Sequence, residues 1–159
     1  YPRGEGVMPE WKTEMQEIKI GTGRKLKDGQ DIAILSFGHV GNFAASAIRD
    51  VKAEGINPAH YDMRFVKPLD EEMLHEVFSK YNKVITIEDG TVVGGFGSAI
   101  LEFMNEHGYK ADVKIMGIPD RLVEHGTPKQ LYDEIGIDAN GIADMLRVLS
   151  KINVAELIK

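Results

Sequence analysis

The chain has 159 residues, a formal net charge of −6, 43% hydrophobic and 28% charged residues, and no cysteine. That length suits one domain with a sizeable core, and the composition is that of soluble globular chains rather than disordered ones. Lys and Arg are scattered among Asp and Glu with no basic stripe, which argues against nucleic acid as a partner. No apolar run nears the roughly 18 residues of a membrane span, and the lack of cysteine excludes disulfides and thiolate metal sites and fits a reducing compartment.

The opening Tyr1-Pro2-Arg3-Gly4 has no initiator methionine, which fits a piece of a longer polypeptide, or a processed or tag-cleaved product. Residues 4–13 are turn-rich and aperiodic and read as a linker. A short strand is predicted over residues 18–26, and Asp28-Gly29 is a hairpin signal before the apolar run 31–37. The first strand is therefore expected antiparallel beside the second, as the odd member of the sheet. Residues 31–37 (DIAILSF) are nearly continuous in apolar character, as in a strand covered on both faces.

Strands and helices then alternate. A helix over residues 42–54 turns Ala44, Ala47, Ile48 and Val51 to one face and stops at Gly55. A strand over residues 58–63 precedes Asp70, the N-cap of a helix with Met73, Leu74, Val77 and Phe78 inward. Residues 83–88 (KVITIE) form the next strand, and a helix over 95–107 points Phe96, Ala99, Phe103 and Met104 to the core. After a short strand at 113–116, Thr127-Pro128 opens a helix that ends near Gly136. The last helix starts near Asp138 with Ile142, Met145, Leu146 and Leu149 as its stripe. This order predicts an α/β fold: a three-layer α/β/α sandwich on a mostly parallel five-stranded sheet with one antiparallel edge strand, joined by right-handed crossovers.

In a parallel arrangement the polar and glycine-rich segments 64–70, 88–99 and 117–127 emerge together at the carboxyl edge of the sheet, where open α/β sheets place ligands or partners. Gly94-Gly95-Phe96-Gly97 can present backbone N–H groups to an anion, or can let its helix pack tightly. Glu88 ends an apolar strand and can be a partly buried carboxylate or a cap for a neighbouring loop's N–H groups. Arg64 and Lys67 can bind an anion or pair with Asp62 or Glu71. Asp120, Arg121 and His125 share one loop and can form a polar cluster or a loop-fixing salt bridge. Arg3 offers a bidentate fork suited to phosphate.

Other signatures fail. There is no phosphate-binding G-x-x-x-x-G-K-[ST] loop, and Ile100 stands where a dinucleotide fingerprint needs its third glycine. Ser98 lacks the flanking glycines of a nucleophile elbow. His39, His60, His75, His107 and His125 show no metal-ligand spacing.

Taken in order, Tyr1-Pro2-Arg3-Gly4, Asp62-Met63-Arg64-Phe65-Val66-Lys67-Pro68-Leu69-Asp70, Gly94-Gly95-Phe96-Gly97-Ser98-Ala99, Gly117-Ile118-Pro119-Asp120, Glu124-His125-Gly126-Thr127 and residues 131–138 (LYDEIGID) resemble the C-terminal part of the 1-deoxy-D-xylulose-5-phosphate synthases. Transketolases and the β chains of 2-oxo acid dehydrogenase E1 components are looser relatives. The resemblance implies that residues 1–13 are the tail of a preceding pyrimidine-binding domain plus linker, and that 14–159 form a transketolase C-terminal-like domain. It implies a full-length homodimer that uses thiamine diphosphate and Mg2+ to condense pyruvate with glyceraldehyde 3-phosphate, with loss of carbon dioxide. Isoprenoid, thiamine and pyridoxal precursors follow from the product, in a bacterial cytoplasm or a plastid stroma. The partners implied are the remaining domains of the chain and the second subunit, with no nucleic acid and no membrane.

By the same resemblance Arg3 contacts the acceptor's phosphate, while the catalytic residues and cofactor site lie outside this sequence, so residues 1–159 alone are expected to bind no cofactor and to be inactive. No Gly-Asp-Gly motif occurs here, and Asp89-Gly90 departs from the Glu-Glu-Asn common in the family. Two other readings stay open: an E1 β-chain domain that binds a partner acyltransferase core, and a free-standing small-molecule module.

Overall fold

The computed structural model describes residues 16–151. In chain order the elements are β1 (Arg24–Lys27), β2 (Ile32–Phe37), α1 (Gly41–Val51) with a 3-10 turn (Lys52–Glu54), β3 (Ala59–Asp62), α2 (Glu71–Lys80), β4 (Lys83–Thr91), α3 (Phe96–Glu106), β5 (Asp112–Ile118), α4 (Pro128–Ile135) and α5 (Ala139–Lys151). Arg3 and the 1–13 linker lie outside the described residues.

The strand order is β1-β3-β2-β4-β5. β2, β3, β4 and β5 run parallel, and β1 is antiparallel at the edge. Side chains alternate across a strand, so the apolar run of β2 serves both faces of the sheet. Ile32 and Ile34 join Ile85 and Ile87 under α1 and α5, while Ala33 and Leu35 join Val84 and Tyr61 under α2 and α3. Two separate cores result, and the three expected layers are present.

One expectation is overturned. β1 pairs with β3, Arg24 opposite Asp62, and not with β2. The Asp28-Gly29 segment therefore makes no hairpin but crosses the amino end of β3. There Gln30 N–H donates to Asn57 O at 2.7 Å, and a Cβ on Gly29 would overlap the Pro58–Ala59 backbone. The reason is burial: β2 is covered on both faces and takes a parallel partner on each side. The polar RKLK strand, largely exposed, tolerates only an edge. β1 is also shorter than predicted, and Ile18 and Ile20 are 54% and 71% exposed.

Local signals placed the helix ends. Asp70 accepts from Met73 N–H at 3.0 Å, Gly55 and Gly136 hold left-handed C-cap conformations, and Thr127 and Gln130 form a reciprocal capping box.

Candidate functional site at the carboxyl rim

Because β2 to β5 are parallel, the segments that follow each of them share one rim. β2 sits between β3 and β4, so the chain leaves β2 toward one side of the sheet and leaves β4 toward the other. The crevice between the carboxyl ends of β2 and β4 is thus the topological switch point, the usual ligand position in such sheets.

Three residues there were not among the site candidates read from the sequence. His39 follows β2, Asp89 lies near the end of β4, and Tyr132 comes from α4. Tyr132 Oη donates to Asp89 Oδ2 at 2.9 Å. His39 Nε2 lies 3.2 Å from Tyr132 Oη and 3.7 Å from Asp89 Oδ2, and Phe43 packs on both rings. The available sequence signals were a histidine shortly after an apolar strand and the segments 88–99 and 131–138 that hold Asp89 and Tyr132. These contacts fasten α4 to the segments that end β2 and β4.

Glu88 ends the buried part of β4 and is 4% exposed. Its Oε2 accepts from Phe96 N–H and its Oε1 from Gly97 N–H, both at 2.9 Å. A carboxylate against a helix N-terminus meets its unpaired N–H groups and the positive end of its dipole. The Phe96 and Gly97 amides, candidates for an external anion, are therefore occupied by the protein's own carboxylate. Gly94 N–H is likewise taken, donating to Ser98 Oγ at 2.9 Å. The glycines here serve close approach. A Cβ on Gly97 would sit 2.5 Å from Ile115 Cγ2 and 2.7 Å from Thr86 Oγ1, and one on Gly95 would strike Thr91 O and the Glu88 carboxylate.

Arg64 follows β3 with φ of 57°, a left-handed conformation that only a well-determined surrounding holds in a non-glycine residue. Its N–H lies 3.3 Å from Asp62 Oδ1 and its Nε 3.9 Å from Asp62 Oδ2. Arg24 approaches the same Asp62 oxygen more closely, at 3.1 Å. The Arg64 guanidinium is thus oriented by a carboxylate already engaged elsewhere. Asp70 steadies this loop further, accepting from Gly23 N–H at 2.7 Å.

Asp120, Arg121 and His125 are exposed on the loop after β5. Arg121 pairs with Glu134 of α4 at 3.1 Å, which ties the loop to its own helix; no contact joins it to Asp120 or His125 among the described residues. Strand order also keeps Arg64 apart from Glu88, with the end of β2 between them. The rim therefore carries committed carboxylates and hydroxyls and two guanidinium groups, Arg64 and Arg121, each near a carboxylate. That chemistry suits anion recognition and domain contact rather than proton transfer.

Residues 21–142 match the family model for the transketolase C-terminal domain. The chain is 57% identical over 152 residues to a 1-deoxy-D-xylulose-5-phosphate synthase of Cytophaga hutchinsonii, covering 96% of this chain and 24% of that protein. It is 54% identical over 147 residues to the synthase of Parabacteroides distasonis, covering 92% of this chain and 23% of that protein. The synthase of Geobacillus thermodenitrificans is 42% identical over 150 residues, covering 94% of this chain and 24% of that protein. The chain thus spans about a quarter of the length of these curated relatives. A solved chain described as a split gene transketolase, inactive beta4 tetramer, superposes with a TM-score of 0.79 at 31% identity, over 89% of this chain and 46% of that one. Strand order, rim and family match agree, and the chain belongs to the transketolase C-terminal domain family.

Proposed function

We propose that this chain is the C-terminal domain of a 1-deoxy-D-xylulose-5-phosphate synthase, whose intact homodimer condenses pyruvate with glyceraldehyde 3-phosphate and releases carbon dioxide in a bacterial cytoplasm. The observation that carries the reading is the 57% identity across 96% of the chain to a protein of that name. No observation favours an E1 β chain over it.

The described residues do not fit thiamine diphosphate or its Mg2+. The α3 amides are held by Glu88, and no three carboxylate or histidine side chains converge on a metal position among the described residues. In this reading the cofactor, which supplies the electron sink for decarboxylation, belongs to domains that precede Tyr1. In this reading Arg3 holds the aldehyde's phosphate by a bidentate fork, and Arg64 is a further candidate cation on the rim. Holding the phosphate fixes the aldehyde for attack.

The test is to express the complete gene product and assay carbon dioxide release from pyruvate with and without glyceraldehyde 3-phosphate. Acceptor-dependent release with formation of the five-carbon phosphate is expected, and residues 1–159 alone are expected to show no turnover. Pyruvate consumption that depends on a lipoyl domain instead would overturn the assignment.

A further inference from the structure

Beside β3, the strand that precedes Arg64, the edge strand β1 and helix α1 leave a groove between them. Its apolar lining is Leu26, Ala45, Ile48 and Ile56, with His60 beneath, and it encloses about 370 Å3, within the range of small-ligand pockets. His60 is 2% exposed, and its Nε2 lies 2.9 Å from Ser36 Oγ. Burial pulls its pKa down to about 4, so the ring is neutral at pH 7 and the floor carries no charge.

The rim of the groove is cationic. Arg49 and Lys52 project from one face of α1 and its 3-10 extension, and Lys27 from β1. Lys27 is satisfied by Asn57 Oδ1 and by the carbonyls of Asp28 and Pro58. Among the described residues Arg49 donates only to Ser46 Oγ, at 2.8 Å. The other described arginines, Arg24, Arg64, Arg121 and Arg147, each have a carboxylate within reach. Lys52 has no carboxylate partner among the described residues, and its charge helps to lower the pKa of Lys27, after burial. Nearby acids are engaged elsewhere: Asp28 with Lys25 at 3.2 Å and Glu54 with Arg147 at 2.7 Å. Asp50 is exposed beside Arg49. In a chain of net charge −6, two cations with no carboxylate partner among the described residues, over an apolar, uncharged floor, form a complementary surface for one kind of molecule.

We propose that this groove binds a small amphipathic anion, with a short aliphatic tail on Leu26, Ile48 and Ile56 and a carboxylate or phosphate head on Arg49 and Lys52. The proposal is independent of the enzymatic reading, since neither the rim nor Arg3 takes part in it.

The experiment is calorimetric titration of the complete gene product with hexanoate, hexyl phosphate, hexanol and hexylammonium. Saturable binding of the two anions is expected, with the tighter one assigning the head group, and none of the alcohol or the ammonium. The exposed double variant Arg49→Glu/Lys52→Glu should weaken anion binding by about tenfold or more, and Lys52→Gln by about threefold. Ring resonances of His60 should shift with hexanoate but not with acetate, which lacks the tail. Equal binding of hexanol and hexanoate, unchanged affinity in the double variant, or an unmoved His60 signal at saturation would each overturn the proposal.

Discussion

Replacing Glu88 by glutamine keeps the shape of the side chain and removes half of its function. The carboxylate accepts two backbone N–H bonds at 2.9 Å, one on each oxygen, at a position 4% exposed. A glutamine amide offers one acceptor, so its NH2 must face either Phe96 N–H or Gly97 N–H, donor against donor. A charge-assisted hydrogen bond contributes roughly 1.5–3 kcal/mol, and a buried donor left unpaired costs about 1–3 kcal/mol. The favourable interaction of a carboxylate with a helix N-terminus, up to about 2 kcal/mol when partly buried, is lost as well. These terms overlap, and a net destabilisation of about 3 kcal/mol is expected, near the upper end for single substitutions. Urea unfolding followed by far-ultraviolet circular dichroism measures it as a lower midpoint at unchanged slope. Because the contact is buried, the loss should persist at high salt, unlike that of a surface pair. A Glu88→Gln variant within about 0.5 kcal/mol of wild type would show that the carboxylate does not hold α3, and the anion-site reading of the Gly94–Gly97 segment would reopen.

Three further outcomes are expected. Gly97→Ala should destabilise by about 1–3 kcal/mol through overpacking against Ile115 and Thr86, despite the better helix propensity of alanine; a midpoint equal to or above wild type in urea would contradict this. His60 has a folded-state pKa near 4 against an ordinary 6.5, so between those values the unfolded chain binds a proton that the folded one refuses. Stability contributed by His60 is therefore complete above about pH 6.5 and falls as pH drops toward 4, by about 3 kcal/mol in total. His60→Gln should flatten that part of the stability profile relative to wild type, and parallel profiles would refute the burial argument. Under the proposed synthase reading, Arg3→Ala and Arg64→Ala in the complete gene product should each raise KM for the phosphorylated acceptor about tenfold or more while leaving KM for pyruvate nearly unchanged; equal changes in both constants would remove the phosphate role.

Sequence patterning alone established the strand–helix alternation, the parallel sheet and most helix boundaries. Those features rest on local rules that act within a few residues: the apolar runs 31–37 and 83–88, Asp70 and Thr127 as caps, and Gly55 and Gly136 as stops. The rim was legible for the same reason, since parallel strands force their carboxyl ends together. Only the tertiary structure decided which strand β1 joins, because a hairpin signal is local while pairing depends on what buries β2. Only it showed that Glu88 occupies the α3 amides, that His39, Asp89 and Tyr132 meet, and that Arg121 turns to Glu134. Each of those partners lies 8 to 93 residues away in the chain, a separation that no periodicity or motif reaches.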